Sequence, residues 1–168
     1  MTILVYRDGV LASDSQLINR QWTVIGTAPK IGRREILTKK LDGVTVVRCD
    51  VYLFGATGDS AYCSKFLKWC QSDDFEKFLK DQEYTSPAIA PTGKEQSCTG
   101  FVVKPDGKCI RFEHEDPPYE TEAEWYAFGS GDTMAIGALA NGAGAEEAVR
   151  IVCEWDPPSK GPVQVLRR

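Results

Sequence analysis

Histidine is nearly absent from this sequence, whose 168 residues contain only His114. A single histidine excludes metal sites built from several histidines, and it leaves His114 as the only histidine available to a serine or cysteine triad. The residue lies in the run Glu113-His114-Glu115-Asp116, followed by two prolines, which is typical of a solvated loop. We therefore expect that a catalytic base in this chain is not a histidine.

The sequence also lacks the features of membrane, nucleic-acid-binding and disulfide-bonded proteins. No apolar run approaches the roughly 18 residues of a membrane span. The 20 Lys and Arg residues are outnumbered by 24 Asp and Glu residues, for a net charge of −4, which disfavours nucleic acid as a partner. The six cysteines form no Cys-x-x-Cys pair. We expect a cytoplasmic protein with reduced thiols and with neither metal nor cofactor.

The first fourteen residues predict a β-hairpin. Asp8-Gly9 separates two apolar runs, and this dipeptide is the strongest short-range signal for a tight hairpin turn. The hairpin begins at Thr2, so we expect no signal peptide, arm or linker ahead of it. Aminopeptidases generally remove a Met1 that precedes a small residue. An N-terminal Thr2 would then carry a hydroxyl and a free α-amine (pKa about 7.7–8.0), which can accept the hydroxyl proton.

Further along the chain, pairs of helices alternate with antiparallel strands. Strands are predicted over 22–31, 44–47, 51–54, 101–103, 109–112, 125–128 and 162–166, and helices from Asp59, from Asp73, after Gly131 and around 148–155. We expect a turn in the basic stretch Arg33–Lys40, a hairpin turn at Asp42-Gly43, and loops over 85–96 and 113–124. This order predicts a single α+β domain over residues 1–168.

Six short features stand at strand and helix ends along the whole chain. They are Thr2 at the first strand, Leu11-Ala12-Ser13-Asp14-Ser15 at the end of the hairpin, Lys30 sixteen residues after Asp14, Phe54-Gly55-Ala56-Thr57-Gly58-Asp59 between a strand and a helix, Phe128-Gly129-Ser130-Gly131 before the third helix, and Asp156 with Ser159 before the last strand. None is specific alone. In this order and placement they resemble the N-terminal-nucleophile hydrolases, specifically proteasome β-subunits and the HslV peptidase.

The resemblance implies a fold, an activity and partners. The fold is a four-layer αββα sandwich of two antiparallel sheets flanked by helix pairs. The activity is that of a threonine endopeptidase, which self-associates into rings and hydrolyses protein or peptide substrates. An ATP-dependent unfoldase is left open as a further partner.

The resemblance also assigns a role to each candidate site residue. Thr2 attacks the peptide carbonyl with its own amine as base, and Lys30, held by Asp14, places a positive charge beside it. The Gly55 N–H, at the start of a helix, stabilises the oxyanion. The residues implied to orient the amine and relay protons are Ser130, Asp156 and Ser159.

Two departures from the family leave one residue assignment open. The chain from Thr2 to Asp14 is about four residues shorter than usual, which corresponds to about two residues missing from each strand of the hairpin. Because side chains alternate with period two along a strand, Thr2 and Asp14 stay on their original faces. Between Lys30 and Gly55 the chain is longer than the short connection of the family, and we expect the extra residues to lie in the basic stretch Arg33–Lys40. Lys39 or Lys40 is therefore an alternative catalytic lysine, although that placement breaks the spacing from Asp14.

The function also has two alternatives. A retained Met1 would convert the amine of Thr2 into an amide, and the chain would then be a non-catalytic structural subunit of an assembly. The other alternative is a hydrolase of the same fold that acts on small amides instead of peptides.

Overall fold

The computed structural model of the chain describes residues 2–19, 21–41, 45–80, 98–113 and 117–168. The strands in these ranges are β1 (Ile3–Arg7), β2 (Val10–Ser13), β3 (Gln16–Ile18), β4 (Val24–Thr27), β5 (Ile31–Leu41), β6 (Thr45–Gly58), β7 (Cys98–Val103), β8 (Cys109–Phe112), β9 (Tyr119–Thr121), β10 (Trp125–Gly129) and β11 (Gln164–Arg167). The helices are α1 (Ser60–Cys70), α2 (Asp73–Lys80), α3 (Asp132–Ala140) and α4 (Ala145–Trp155).

The strands form three antiparallel sheets. One sheet has four strands in the order β10-β1-β2-β11, and another has five in the order β5-β6-β7-β8-β9. A separate two-stranded sheet pairs β3 with β4. Strand β1 is central in the four-stranded sheet, so the residue that precedes it is placed from both sides by hydrogen-bonded neighbours.

The predicted N-terminal hairpin is confirmed, since β1 pairs with β2 in the register Leu4↔Ser13. Asp8 and Gly9 both have positive φ, 51° and 79°, as a tight turn between twisted strands requires. The other edge of β1 pairs with β10, and Ile3 lies opposite Gly129. The hairpin therefore brings the start of the chain next to the Gly-Ser-Gly run.

Apolar side chains gather in three clusters. The first joins β6, β7 and β8 to α1 and α2 and contains Phe54, Phe66 and Phe75. The second lies among strands of both large sheets, with Phe101 stacked on Phe128 at 4.5 Å between ring centroids. The third joins β1 and β2 to α3 and α4. The four-layer sandwich stays a prediction, and these clusters are the contacts that it would need.

Several predicted elements need correction. The basic stretch is not a turn, because Arg33 and Arg34 lie inside β5, which runs to Leu41 and pairs along its length with β6. The two strand segments predicted over 44–54 are one continuous strand. Part of the acidic loop is strand β9, which pairs with β8, and β3 has no counterpart in the prediction. The Asp42-Gly43 turn, the whole 85–96 loop and His114 lie outside the described residues.

The helices begin and end close to the predicted residues. Asp59 caps α1, because its Oδ1 accepts the N–H groups of Ala61 and Tyr62 at 2.9 and 3.3 Å, which satisfies donors that would otherwise lack partners. Helix α4 ends before Asp156 and the two prolines that follow. None of the helices in the described part of the chain has the length and apolar character of a membrane span.

Candidate active site

A buried ion pair joins the end of the N-terminal hairpin to the start of β5. Asp14 follows the last residue of β2 and Lys30 precedes the first residue of β5. Lys30 Nζ lies 2.7 Å from Asp14 Oδ2, and the two residues are 5% and 0% exposed. The predicted spacing between the two residues therefore corresponds to a direct contact. Solvent does not screen this pair, so each charge depends on the other.

Asp14 also accepts hydrogen bonds from backbone N–H groups at the start of β1 and at the start of β3. Its Oδ1 accepts the N–H of Ile3 at 2.9 Å, and its Oδ2 accepts the N–H of Gln16 at 3.1 Å. Burial raises the pKa of the Asp14 carboxyl, while Lys30 and these N–H groups act in the opposite direction. Because Ile3 is the residue after Thr2, the same carboxylate holds the lysine and fixes the first peptide of β1.

Lys30 is held through its backbone by a glutamine that the sequence did not reveal. The N–H of Lys30 donates to Gln164 Oε1 at 3.2 Å, and Gln164 Nε2 donates to the carbonyl of Ala28 at 2.8 Å. On the other side, the carbonyl of Lys30 accepts the N–H of Ala56 at 3.2 Å. Burial lowers the pKa of the Lys30 ammonium and Asp14 opposes this effect. A lone glutamine in a closing strand carries no sequence signal for this role.

Thr2 directly precedes the first residue of β1 and is 5% exposed. Its carbonyl accepts the N–H of Ser130 at 2.9 Å, and the Ser130 hydroxyl lies 3.5 Å from the same oxygen. Gly129 has φ +112°, and a Cβ there would lie 1.9 Å from the Thr2 oxygen. Only glycine permits this approach, so Gly129 and Ser130 hold the carbonyl of Thr2 at close range.

Asp156 and Ser159 form a second small unit, in which the Ser159 hydroxyl donates to Asp156 Oδ2 at 2.6 Å. The loop that carries them is tied to the ion pair through Gln16. That side chain donates from Nε2 to the carbonyls of Pro157 and Pro158 at 3.1 and 3.3 Å, while its backbone N–H binds Asp14. Gln16 is the second positioning residue that sequence reasoning missed.

Gly55 is not where the prediction put it. It lies inside β6, not at the start of a helix, and α1 begins only at Ser60. Backbone N–H groups alternate sides along a strand, so the bond from Ala56 to Lys30 turns the Gly55 N–H toward β7. A Cβ on Gly55 would lie 3.1 Å from the Lys30 carbonyl oxygen and 2.9 Å from the Phe101 ring. Gly55 therefore gives the close approach of strands at Lys30, and its role as oxyanion donor stays a prediction.

The alternative lysines lie far from this pair. Lys39 and Lys40 are nine and ten residues beyond Lys30 in the chain, within β5 and opposite Val47 and Val46 of β6. At about 3.4 Å per residue, their backbones are roughly 30 Å along the strand from Lys30. The geometry therefore favours Lys30.

A cavity of 700 Å³ opens beside the ion pair. Thr2 and Lys30 line it on one side, and Gly58, Asp59 and Cys63 from the β6–α1 junction line another. Leu17, Ile18 and Ile25 of the small β3–β4 sheet and Leu67 of α1 add apolar surface. A pocket of this size with a few polar groups suits an organic ligand of several residues. Among the described side chains, no group of three or more His, Cys, Asp or Glu is arranged to hold a metal ion.

No protein-family model and no curated protein matches the chain. Its structure is similar to a subunit of the helical assembly of the Anbu complex from Pseudomonas aeruginosa, with a TM-score of 0.63 and 11% sequence identity over 100% of this chain and 81% of that chain. The chain has the fold of the Anbu subunit. It is also similar to BPH from Thiobacillus denitrificans, at TM-scores of 0.49 (in complex with epoxomicin) and 0.45. Identity is 16% in both, over 98% of this chain and 96% and 95% of those chains.

The predicted resemblance to proteasome β-subunits and the HslV peptidase is wrong. The match to the Anbu subunit and the lack of any matching family model overturn it. At 11% identity the Anbu match shows a shared fold alone, so the chemistry has to follow from the side chains of this chain.

Proposed function

We propose that this chain is a hydrolase of peptide bonds whose nucleophile is the hydroxyl of Thr2, made N-terminal by removal of Met1. The observation that carries the proposal is the buried Lys30–Asp14 pair: Lys30 lines the 700 Å³ cavity together with Thr2, and Asp14 accepts the N–H of Ile3, the residue after Thr2. A buried positive charge is costly unless it has a use or a partner. This one has a partner, and Lys30 lines the same cavity as Thr2, whose hydroxyl is a weak nucleophile on its own.

The reaction divides into two steps. The Thr2 hydroxyl gives its proton to the α-amine of the same residue, directly or through water, and the oxygen attacks the substrate carbonyl. The tetrahedral intermediate collapses as the C–N bond breaks, and the ammonium returns the proton to the leaving amine. The ester that remains on Thr2 is then hydrolysed by water, with the amine again accepting and returning a proton.

Lys30 favours this chemistry through its charge. An ammonium beside the hydroxyl lowers its proton affinity and stabilises the alkoxide that develops during attack. Asp14 keeps that charge in place and, through the Ile3 N–H, fixes the direction in which Thr2 leaves β1. Ser130 holds the Thr2 carbonyl from the opposite side. The nucleophile is thus positioned by contacts on both sides of its peptide.

A bifunctional covalent probe tests the nucleophile and the base together. A peptide epoxyketone presents two electrophilic carbons, so it closes a ring with a hydroxyl and an amine that belong to one residue. We expect one adduct per chain, on the peptide that begins with Thr2, in protein that lacks Met1. Thr2→Ala should fold and not react. Thr2→Ser should still react, although more slowly, because it keeps both the hydroxyl and the α-amine.

The outcomes of this experiment separate the alternatives. Labelling that persists in Thr2→Ala would refute the proposed nucleophile. Protein without Met1 that neither labels nor cleaves peptides would favour the non-catalytic subunit. Labelling together with hydrolysis of small amides, but of no peptide, would favour the small-amide hydrolase.

We also propose that the chain self-associates. The Anbu structure that shares its fold is a helical assembly. In this chain, Trp22, Val24 and Ile25 at the β3–β4 sheet are each about three-fifths exposed, and large exposed apolar patches mark interaction sites. Light scattering at micromolar concentration should give a mass of several chains, and Trp22→Ser with Val24→Ser should reduce it. A monomer mass for the wild type would contradict self-association.

A further inference from the structure

Two cysteines meet at the edge of the cavity. Cys63 lies in the first turns of α1 and lines the cavity with Thr2 and Lys30. Cys98 is the first residue of β7 and is 1% exposed. Their sulfur atoms are 3.7 Å apart, within hydrogen-bonding distance for thiols. An accessible thiol is thus paired with a buried one.

Both ends of this pair are fixed by the fold. The N–H of Cys63 donates to the Asp59 carbonyl at 2.9 Å, in a turn whose cap is the Asp59 side chain. Cys98 lies opposite Gly58 in the β6–β7 ladder. Because Gly58 and Asp59 are consecutive, one short segment positions both sulfur atoms. The contact is therefore built into the junction of the strand and the helix.

The surroundings make Cys63 the more nucleophilic of the two. The hydrogen bond between the two thiols lowers the pKa of Cys63, and the charge of Lys30 acts in the same direction, against the effect of burial. The same hydrogen bond raises the pKa of Cys98. Cys63 also lies near the N-terminus of α1, where partial positive charge favours a thiolate. A nucleophilic thiol next to a resolving thiol is the arrangement of redox-sensitive cysteine pairs.

We propose that Cys63 and Cys98 form a redox-active dithiol, which a small peroxide entering the cavity oxidises to a disulfide. The Cys63 thiolate attacks one peroxide oxygen, the O–O bond breaks, and the other oxygen leaves and is protonated to water. The Cys98 sulfur then attacks the sulfenic acid of Cys63, the S–S bond forms, and the S–O bond breaks. The departing hydroxide takes the Cys98 proton as water. The peroxide gains two electrons and the two thiols lose two.

The other cysteines provide controls. Cys49 is exposed, Cys70 and Cys109 are buried, and Cys153 is half-buried. Cys49 contacts Glu35 Oε2 at 3.6 Å, a negative charge that disfavours a thiolate. We expect Cys49→Ser to remove oxidation at the surface while leaving the Cys63–Cys98 reaction unchanged.

The test is a hydrogen peroxide titration of the Cys49→Ser protein, followed by denaturation and alkylation of the remaining thiols. We expect the oxidised protein to lose two alkylation sites and two hydrogens, with a cross-linked peptide pair that contains Cys63 and Cys98. A thiol reductant should restore both sites. Cys63→Ser and Cys98→Ala should each abolish the cross-link, and Cys153→Ser should keep it.

The proposal is overturned if peroxide leaves both thiols alkylatable, if it takes Cys63 to the sulfinic acid while Cys98 stays free, or if the cross-link contains another cysteine. The wild-type peptide map decides the question even where a cysteine variant folds poorly. Thr2→Ala should form the same disulfide, because the reaction does not use Thr2. A failed hydrolase assay therefore leaves this test unaffected.

Discussion

Replacing both partners of the buried ion pair should cost less stability than the two single replacements added together. In Asp14→Asn the Lys30 ammonium, 5% exposed, loses its counter-charge. Removal of one partner from a buried pair typically costs about 3–5 kcal/mol of unfolding free energy. In Lys30→Met the Asp14 carboxyl keeps the N–H groups of Ile3 and Gln16, and it can also take up a proton. We expect a smaller loss there, of about 1–3 kcal/mol.

The double variant Asp14→Asn/Lys30→Met completes a double-mutant cycle, which measures the interaction between the two charges. It buries no uncompensated charge, so its loss should be smaller than the sum of the two single losses, by roughly 0.5–3 kcal/mol. A domain of this size has about 5–15 kcal/mol of stability, so the single variants should still fold. Glu35→Gln is the matched control, because it breaks the exposed pair with Arg33, which is worth about 0.2–1 kcal/mol at most.

Urea unfolding of the four variants and the wild type measures these losses, with the slope of the transition checked for constancy. Additive losses would show that the two charges do not interact. A loss in Asp14→Asn no larger than that in Glu35→Gln would show that the pair is not buried in solution. Either result would refute the reasoning from the buried pair.

Three further outcomes follow from the site. Lys30→Ala should lower kcat by about 10²–10³-fold, the usual cost of removing a preorganised electrostatic group. Lys39→Ala should have near wild-type activity in the same peptide assay, and the reverse pattern would show that the lysine is misassigned. Gly129→Ala should disrupt probe labelling of Thr2, because its Cβ would lie 1.9 Å from the Thr2 oxygen, while Gly137→Ala, with no atom within 4 Å of its Cβ, should label normally. The rate of labelling should rise with pH through about 7.7–8.0 as the amine of Thr2 loses its proton. It should fall again at alkaline pH when Lys30 loses its charge, and this fall should begin below the ordinary lysine range because burial lowers the pKa of Lys30. A rate that does not vary with pH would contradict an amine base.

Short-range signals in the sequence predicted much of the fold. The Asp8-Gly9 turn, the helix start at Asp59 and the helix end near residue 155 each depend on the backbone preferences of a few adjacent residues, and each is present in the structure. The β5–β6 hairpin was harder to predict. The charged residues of β5 stand in two runs, Arg33-Arg34-Glu35 and Lys39-Lys40, and Arg33, Glu35 and Leu37 are exposed, so its composition resembles that of a solvated turn. Strand β9 was missed for a similar reason, because Tyr119 to Thr121 carry few apolar side chains.

The candidate site residues were chosen from the resemblance, not from chain spacing alone. The resemblance implied that Asp14 holds Lys30, and the structure brings the two side chains to 2.7 Å. Gln16 and Gln164 were missed because their contacts connect segments more than a hundred residues apart, and a glutamine in a strand has many uses. Gly55 was misplaced because β6 continues three residues beyond it, a length that pairing with β7 determines.

The central claim is that the α-amine of Thr2 is the base, and a matched pair of preparations tests it most directly. Cleavage of an N-terminal fusion immediately before Thr2 or immediately before Met1 gives two proteins that are identical from Thr2 to Arg168. The measurement is the rate of peptide hydrolysis by each at pH 8. We predict hydrolysis by the protein that begins with Thr2 and none by the protein that keeps Met1. Equal rates in the two preparations would contradict the account.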